Sequence, residues 1–156
     1  MADLHDIVLY LGLLGIAAVA VHLSIIDLRT HRLPNRLVGP LALGVAMWLM
    51  VLAVTGGEVA RGLIAMAYGC LAVAVFFVLH LVAGLGMGDV KYAWPVAATL
   101  GWWGWPGLRA GIVGLALASI VATIVFAIRR VPGDRRVAYG PYMSVGLVFG
   151  AISALM

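Results

Sequence analysis

Apolar runs long enough to cross a bilayer recur from one end of this chain to the other. A transmembrane helix needs roughly 20 mainly apolar residues, and about six runs approach that length, at approximately Ile7–Ile26, Leu37–Val54, Gly62–Ala83, Tyr92–Trp105, Gly107–Ile128 and Tyr139–Met156. Of 156 residues, 65% are hydrophobic and 10% charged, and a soluble domain of this size lacks the interior to hide so much apolar surface. In lipid every backbone polar group must be satisfied internally, and runs of this length select the helix. The expected class is therefore all-α, a polytopic membrane protein with about six transmembrane helices. The fourth run is short and holds Pro95, so a kink or tilt is expected there.

The connections set the orientation. Cytoplasmic loops carry the excess of Lys and Arg, and Arg29, Arg32, Arg36, Lys91, Arg129, Arg130, Arg135 and Arg136 fall on one side, with Arg61 and Arg109 on the other. The N-terminus is then expected outside. Met1-Ala2-Asp3-Leu4-His5-Asp6 is acidic where a signal peptide is basic, so the first run is expected to be retained as a span. Trp102, Trp103 and Trp105 would lie at the outer interface, which suits indole rings. The net charge of +4 is scattered over short loops, which points to anionic lipid headgroups and away from nucleic acid. Lone Cys70 excludes an internal disulfide and a multi-cysteine zinc site. Small residues within runs, Gly111, Gly114 and Ala118 or Gly146 and Gly150, read as helix-packing faces. With no linker, repeat or soluble segment, residues 1–156 read as a single transmembrane domain.

Six acidic residues are present. Asp3 and Asp6 belong to the outer tail, Glu58 to the outer 56–61 loop, and Asp134 sits among arginines. Asp27 and Asp89 remain, both at the cytoplasmic edge of a run. An ionisable group costs roughly 2.5 to 3.5 kcal/mol at the centre of a membrane helix and less near the interface. Each has an ordinary explanation. Asp89 follows Gly84-Leu85-Gly86-Met87-Gly88 and precedes a helix, so it could cap that helix. Asp27 lies near a helix C-terminus, where the dipole disfavours an anion, and Arg29 or Arg32 could compensate it.

As a pair, the two acids can do more. Peptide hydrolysis by carboxylates needs one ionised Asp to take a proton from water and one protonated Asp to polarise the scissile carbonyl. Two carboxyls sharing one proton supply both forms, with titration constants that belong to the dyad. Spacing alone does not bring Asp27 and Asp89 together, but a common membrane depth permits contact.

Asp27-Leu28-Arg29-Thr30-His31-Arg32-Leu33-Pro34-Asn35 resembles the first-aspartate motif of the type IV prepilin peptidases, and Gly86-Met87-Gly88-Asp89-Val90-Lys91 resembles that family's GxGDxK motif. Tyr139-Gly140-Pro141-Tyr142 is similar to the aromatic-Gly-Pro-aromatic segment that opens the last span in many members. The resemblance implies an aspartyl endopeptidase that cleaves the leader of prepilins or pseudopilins, usually after Gly, at the cytoplasmic face of the bacterial inner membrane. It implies Asp27 and Asp89 as the catalytic pair, with no metal and no cofactor. Gly86 and Gly88 would allow close approach, and Pro34 and Asn35 would form the turn that stops the first helix. Lys91 would orient the site or simply snorkel to the interface. Gly140, Pro141 and Tyr142 would support the site.

Long family members carry a cysteine-bearing cytoplasmic insertion and a methyltransferase activity. Here the first inner loop reads as about ten residues without Cys, which implies a peptidase-only form lacking a methyltransferase domain. Ala138 stands where many members have Pro. Ile26 stands where presenilin-like GxGD proteases have Tyr, and their Pro-Ala-Leu motif is missing.

His22 and His80, inside runs, read as packed and hydrogen-bonded, and His31 as solvated. Ser24 and Ser119 lack any nucleophile motif and read as packing residues. Two alternatives stay open: a small transporter using Asp27 and Asp89 as an ion or proton site, and a non-catalytic membrane scaffold.

Overall fold

The computed structural model describes residues 3–128 and 138–156. Arg129, Arg130, Asp134, Arg135 and Arg136, which enter the charge count above, lie outside the described residues. The rest forms six helices: α1 Leu4–Thr30, α2 Asn35–Thr55, α3 Val59–Ala83, α4 Met87–Gly101, α5 Gly104–Ile128 and α6 Gly140–Leu155. The all-α class and the six segments agree with the sequence reading. Four of them, α1, α2, α3 and α5, are long and apolar enough to cross a membrane, whereas α4 and α6 have 15 and 16 residues. At 1.5 Å per residue each short helix reaches only about 23 Å.

Helix α4 tolerates being short because protein surrounds it. It packs against α2, α3, α5 and α6, and from Asp89 onward most of its side chains are buried. The outer helices show the opposite pattern, with exposed apolar residues such as Leu14, Leu81 and Val121. An apolar exterior is what a lipid environment selects. Without a hydrophobic driving force between helices in lipid, close backbone contact holds them together. The α5–α6 seam illustrates this: a Cβ at Gly146 would lie 2.7 Å from the Gly111 carbonyl oxygen, and one at Gly150 would lie 3.0 Å from Gly111 Cα. The two small-residue faces read from the sequence therefore pack on each other.

Several boundaries differ from hydropathy. The first run was expected to end at Ile26, yet α1 continues to Thr30, because backbone hydrogen bonds persist past the first charged side chain. Its neighbour α2 starts at Asn35, so the expected ten-residue loop is a turn over residues 31–34. At the other end α1 begins at Leu4 and takes Asp6 into its first turn, where the dipole favours an anion. Trp102 is not at a lipid interface: it is 1% exposed, with the Arg61 guanidinium 4.7 Å from its ring centroid and Arg61 Nε donating to its carbonyl. Only Trp105 of the three is exposed. Arg61 also pairs with Glu58 at 2.7 Å. His22 is exposed rather than packed.

Candidate active site

Asp27 sits one turn before the end of α1 and is 3% exposed. The helix stops because His31 adopts a left-handed conformation, φ 51, and its N–H closes back on the Asp27 carbonyl at 2.8 Å. Pro34, extended at φ −72, then caps α2, its carbonyl accepting from Leu37 and Val38. Neither Arg29 nor Arg32 pairs with Asp27; the ion pair found among the described residues is Arg61–Glu58. The Asp27 carboxylate instead accepts the Gly140 N–H at 2.9 Å. Gly140 is the first residue of α6, and its N–H is one of the donors that a helix N-terminus leaves without an internal partner. An anion unfavourably placed at the end of α1 thus lies at the favourable end of α6, a compensation of about 1 to 2 kcal/mol when partly buried.

Asp89 reaches the same region by a second tight turn. Helix α3 ends at Gly84, φ 68, whose N–H bonds the His80 carbonyl. His80 Nδ1 lies 2.5 Å from the Leu85 carbonyl oxygen, fixing the residue before Gly86. Gly86 is the N-cap of α4, so Asp89 is not the cap. It occupies the first turn, its N–H bonded to the Gly86 carbonyl at 3.0 Å, and is 8% exposed. Its carboxylate folds back over the cap, and a Cβ on Gly86 would lie 2.8 Å from Asp89 Oδ2. A first-turn anion is favoured by the dipole, and this does not prevent the carboxylate from facing a cavity.

The two turns meet. A cavity of about 310 Å³ is lined by Asp27 and Asp89 together with His31, Arg32, Leu33, Asn35, Gly86, Met87, Gly88 and Lys91. Asp89 lies within electrostatic reach of Asp27. Gly88 allows the closure, since a Cβ there would lie 2.9 Å from Leu33 Cβ and 3.3 Å from the Leu33 carbonyl oxygen. Across the rim, Lys91 Nζ donates to Asn35 Oδ1 at 3.1 Å in an exposed contact. Pro34, Gly140, Pro141 and Tyr142 are not in the wall. Gly140 acts through Asp27. Pro141 lies in the first turn of α6, where its missing N–H costs nothing, and Tyr142 packs edge-on to Tyr139 at 6.1 Å.

Sequence reasoning did not single out His31, Arg32 or Met87 as wall residues; their place next to the two aspartates was the available signal. A larger cavity of about 420 Å³ lies on the far side of α4, against α3 and α5, without a charged residue in its wall, so it offers no acid–base chemistry. Among the described residues no group of three His, Cys, Asp or Glu side chains could hold a metal ion. The smaller cavity offers two buried carboxyls facing one polar space, the arrangement in which a shared proton serves as both acid and base.

Comparison with known proteins gives the same direction. The model of the type IV leader peptidase family matches residues 14–128, a stretch that includes both aspartates. A prepilin leader peptidase/N-methyltransferase of Dickeya chrysanthemi is 29% identical over 147 residues, covering 91% of this chain and 50% of that protein. One of Escherichia coli (strain K12) is 32% identical over 128 residues, covering 80% of this chain and 55% of that protein. One of Pectobacterium carotovorum subsp. carotovorum is 35% identical over 69 residues, 44% of this chain and 24% of that protein. The chain thus spans about half the length of the first and second of these relatives. No solved structure matches it. The family match, set beside these apolar helices, identifies a bacterial inner-membrane protein that belongs to the type IV leader peptidase family.

Proposed function

We propose that this chain is an aspartyl endopeptidase that removes the N-terminal leader of prepilin or pseudopilin-like proteins, cutting after Gly at the cytoplasmic membrane face, with Asp27 and Asp89 as its catalytic pair. The observation that carries this reading is that the two acids, far apart in sequence and on different helices, line one cavity and are each aligned by a neighbouring glycine. In the reaction the ionised member of the dyad takes a proton from water as the water oxygen bonds to the scissile carbonyl carbon, while the protonated member donates to the carbonyl oxygen. Collapse of the tetrahedral intermediate breaks the C–N bond, and the proton returned to the amine completes hydrolysis.

Gly86 leaves room for the Asp89 carboxylate and Gly88 for Leu33, so the two turns close around one cavity that a substrate backbone enters. Lys91, held by Asn35 at the rim, orients the entrance. Anionic headgroups surround the basic rim, and nucleic acid has no role. The compact 31–34 turn, which holds no cysteine-bearing insertion, supports peptidase activity without N-methylation. The test is incubation of the purified protein, in lipid vesicles, with a precursor carrying a basic leader, Gly and an apolar helix. Mass spectrometry should find a product starting at the residue after that Gly; an intact precursor refutes the reading.

A further inference from the structure

A buried polar cluster lies one helical turn deeper than the two carboxylates. Ser24 is three residues before Asp27 on α1, Tyr92 three after Asp89 on α4, and Ser144 four after Gly140 on α6. These spacings keep each residue on the face of its site residue, about one turn away. Tyr92 is fully buried, and Ser144 is 6% exposed. Ser24 Oγ donates to Ser144 Oγ at 2.7 Å, Tyr92 Oη lies 2.8 Å from Ser144 Oγ, and Ser144 Oγ donates to the Gly140 carbonyl at 2.9 Å. Tyr92 is part of the packed core, and its phenol must find a hydrogen-bond partner there.

Proton counting joins the cluster into one network. A serine hydroxyl holds one proton and accepts twice. Ser24 has one proton and two acceptors in reach, Ser144 Oγ at 2.7 Å and the Ala20 carbonyl at 2.8 Å, and Ser144 has the Gly140 carbonyl at 2.9 Å and the Ala20 carbonyl at 3.2 Å, so the three hydroxyls share their protons within one connected network. No buried side-chain donor or acceptor among the described residues is left unpaired. A fully satisfied buried network is rigid and holds its members in one geometry.

The helix arrangement says what that rigidity would control. Helices α1 and α4, which carry the two acids, do not pack on each other among the described residues; α2 and α6 each pack on both. The hydrogen bonds that α2 makes to them are distant from the acids or exposed, among them Trp48 Nε1 to the Val8 carbonyl of α1 and Lys91 of α4 to Asn35, whereas the crossing through α6, one turn from the acids, is the chain Ser24–Ser144–Tyr92. Gly140, whose N–H holds the Asp27 carboxylate, is bonded to the same serine through its carbonyl.

On the peptidase reading above, we propose that Ser24, Ser144 and Tyr92 are positioning residues that set the separation of Asp27 and Asp89 by tying α1 and α4 through α6. They stand outside the wall of the cavity that holds the two acids. A misplacement of about 1 Å at a reacting group costs up to roughly a hundredfold in rate, so loosening this tie lowers turnover while leaving substrate binding in place.

The experiment compares wild type, Tyr92→Phe, Ser144→Ala, the double variant and Asp27→Asn as purified protein in lipid vesicles. Tyr92→Phe and Ser144→Ala each lower kcat roughly ten- to a hundredfold with KM unchanged, and the double variant is no slower than the slower single, because both break one network. Ser24→Thr, which keeps the hydroxyl, retains more turnover than Ser24→Ala. Full turnover in Tyr92→Phe beside an inactive Asp27→Asn overturns the network and spares the peptidase reading. An inactive wild type, or an active Asp27→Asn, overturns the peptidase reading instead. A second measurement does not depend on activity: with Cys70 replaced, spin labels at Leu28 and Met87 report the α1–α4 separation by pulsed dipolar spectroscopy. Tyr92→Phe broadens that distribution; an unchanged width overturns the proposal.

Discussion

The Asp27 carboxylate accepts the first N–H of α6, from Gly140, at 2.9 Å, so a residue of the last helix holds an acid of the first. This contact ties the Tyr139-Gly140-Pro141-Tyr142 segment to the first-aspartate motif, and glycine is needed in it: a Cβ at position 140 would lie 2.9 Å from Asp27 Oδ2 and 3.3 Å from Asp27 Cβ. Gly140→Ala therefore pushes the carboxylate off its donor. Leader cleavage by this variant, assayed by product mass, is expected to fall at least about tenfold, with the helical content of the wild type retained. Unimpaired cleavage would mean that the contact has no bearing on the site.

Gly88 sets how closely the two turns of the site approach. The methyl group of Gly88→Ala would meet Leu33 at its Cβ and carbonyl, atoms fixed by the backbone that cannot rotate away. Overpacking of this kind costs about 1 to 3 kcal/mol. Titration of the unfolding of purified Gly88→Ala in mixed micelles should give a loss of that size, and a variant as stable as the wild type would show that the α1–α2 turn yields freely.

The acids themselves were legible in the sequence because an apolar chain with six acidic residues leaves few without an ordinary surface explanation, and Asp27 and Asp89 were the remainder. Their surroundings were not. Hydropathy ends a helix at its first charged residue, but the hydrogen bonds of α1 run on to the His31 N–H, which moves Asp27 from the edge of a helix into it. The expected partners Arg29 and Arg32 are neighbours in sequence, and the actual donor, Gly140, is a contact between helices that spacing along one chain does not encode. Ser24 read as a packing residue for the same reason: its partner Ser144 lies on another helix. The buried place of Trp102 depends on Arg61 of α3, again a relation between helices.

The basic residues predict an orientation. In a chain with Cys70 replaced, a cysteine placed within residues 129–138 is expected to be labelled only from the cytoplasmic side, and one at Gly57 only from outside, as the charge bias requires. A membrane-impermeant maleimide applied to whole cells and to inverted vesicles separates the two. Reversed labelling would put Asp27 and Asp89 on the face opposite to a leader processed before export.

The proposed chemistry needs only carboxyls and water. Cleavage is expected to proceed unchanged in a chelator, since the proposed dyad uses no metal. With S-adenosylmethionine present, the product is expected to keep an unmethylated N-terminus. Mass spectrometry of product made with and without the methyl donor, in chelator, reads both at once. A chelator-sensitive reaction would contradict the first expectation, and a product heavier by one methyl group only with the donor would contradict the second.

The central claim is that Asp27 and Asp89 act together on the scissile bond. Asn is nearly isosteric with Asp but cannot exchange a proton, so Asp27→Asn and Asp89→Asn should each insert into the membrane as the wild type does. The direct measurement is precursor cleavage by each single variant and by the double variant in the same vesicles. Both singles are expected to be inactive, with the double no worse than either, because removing one member of a dyad removes the function of the pair. Substantial cleavage by either single variant would contradict the account, since the surviving carboxyl would then be working without its partner.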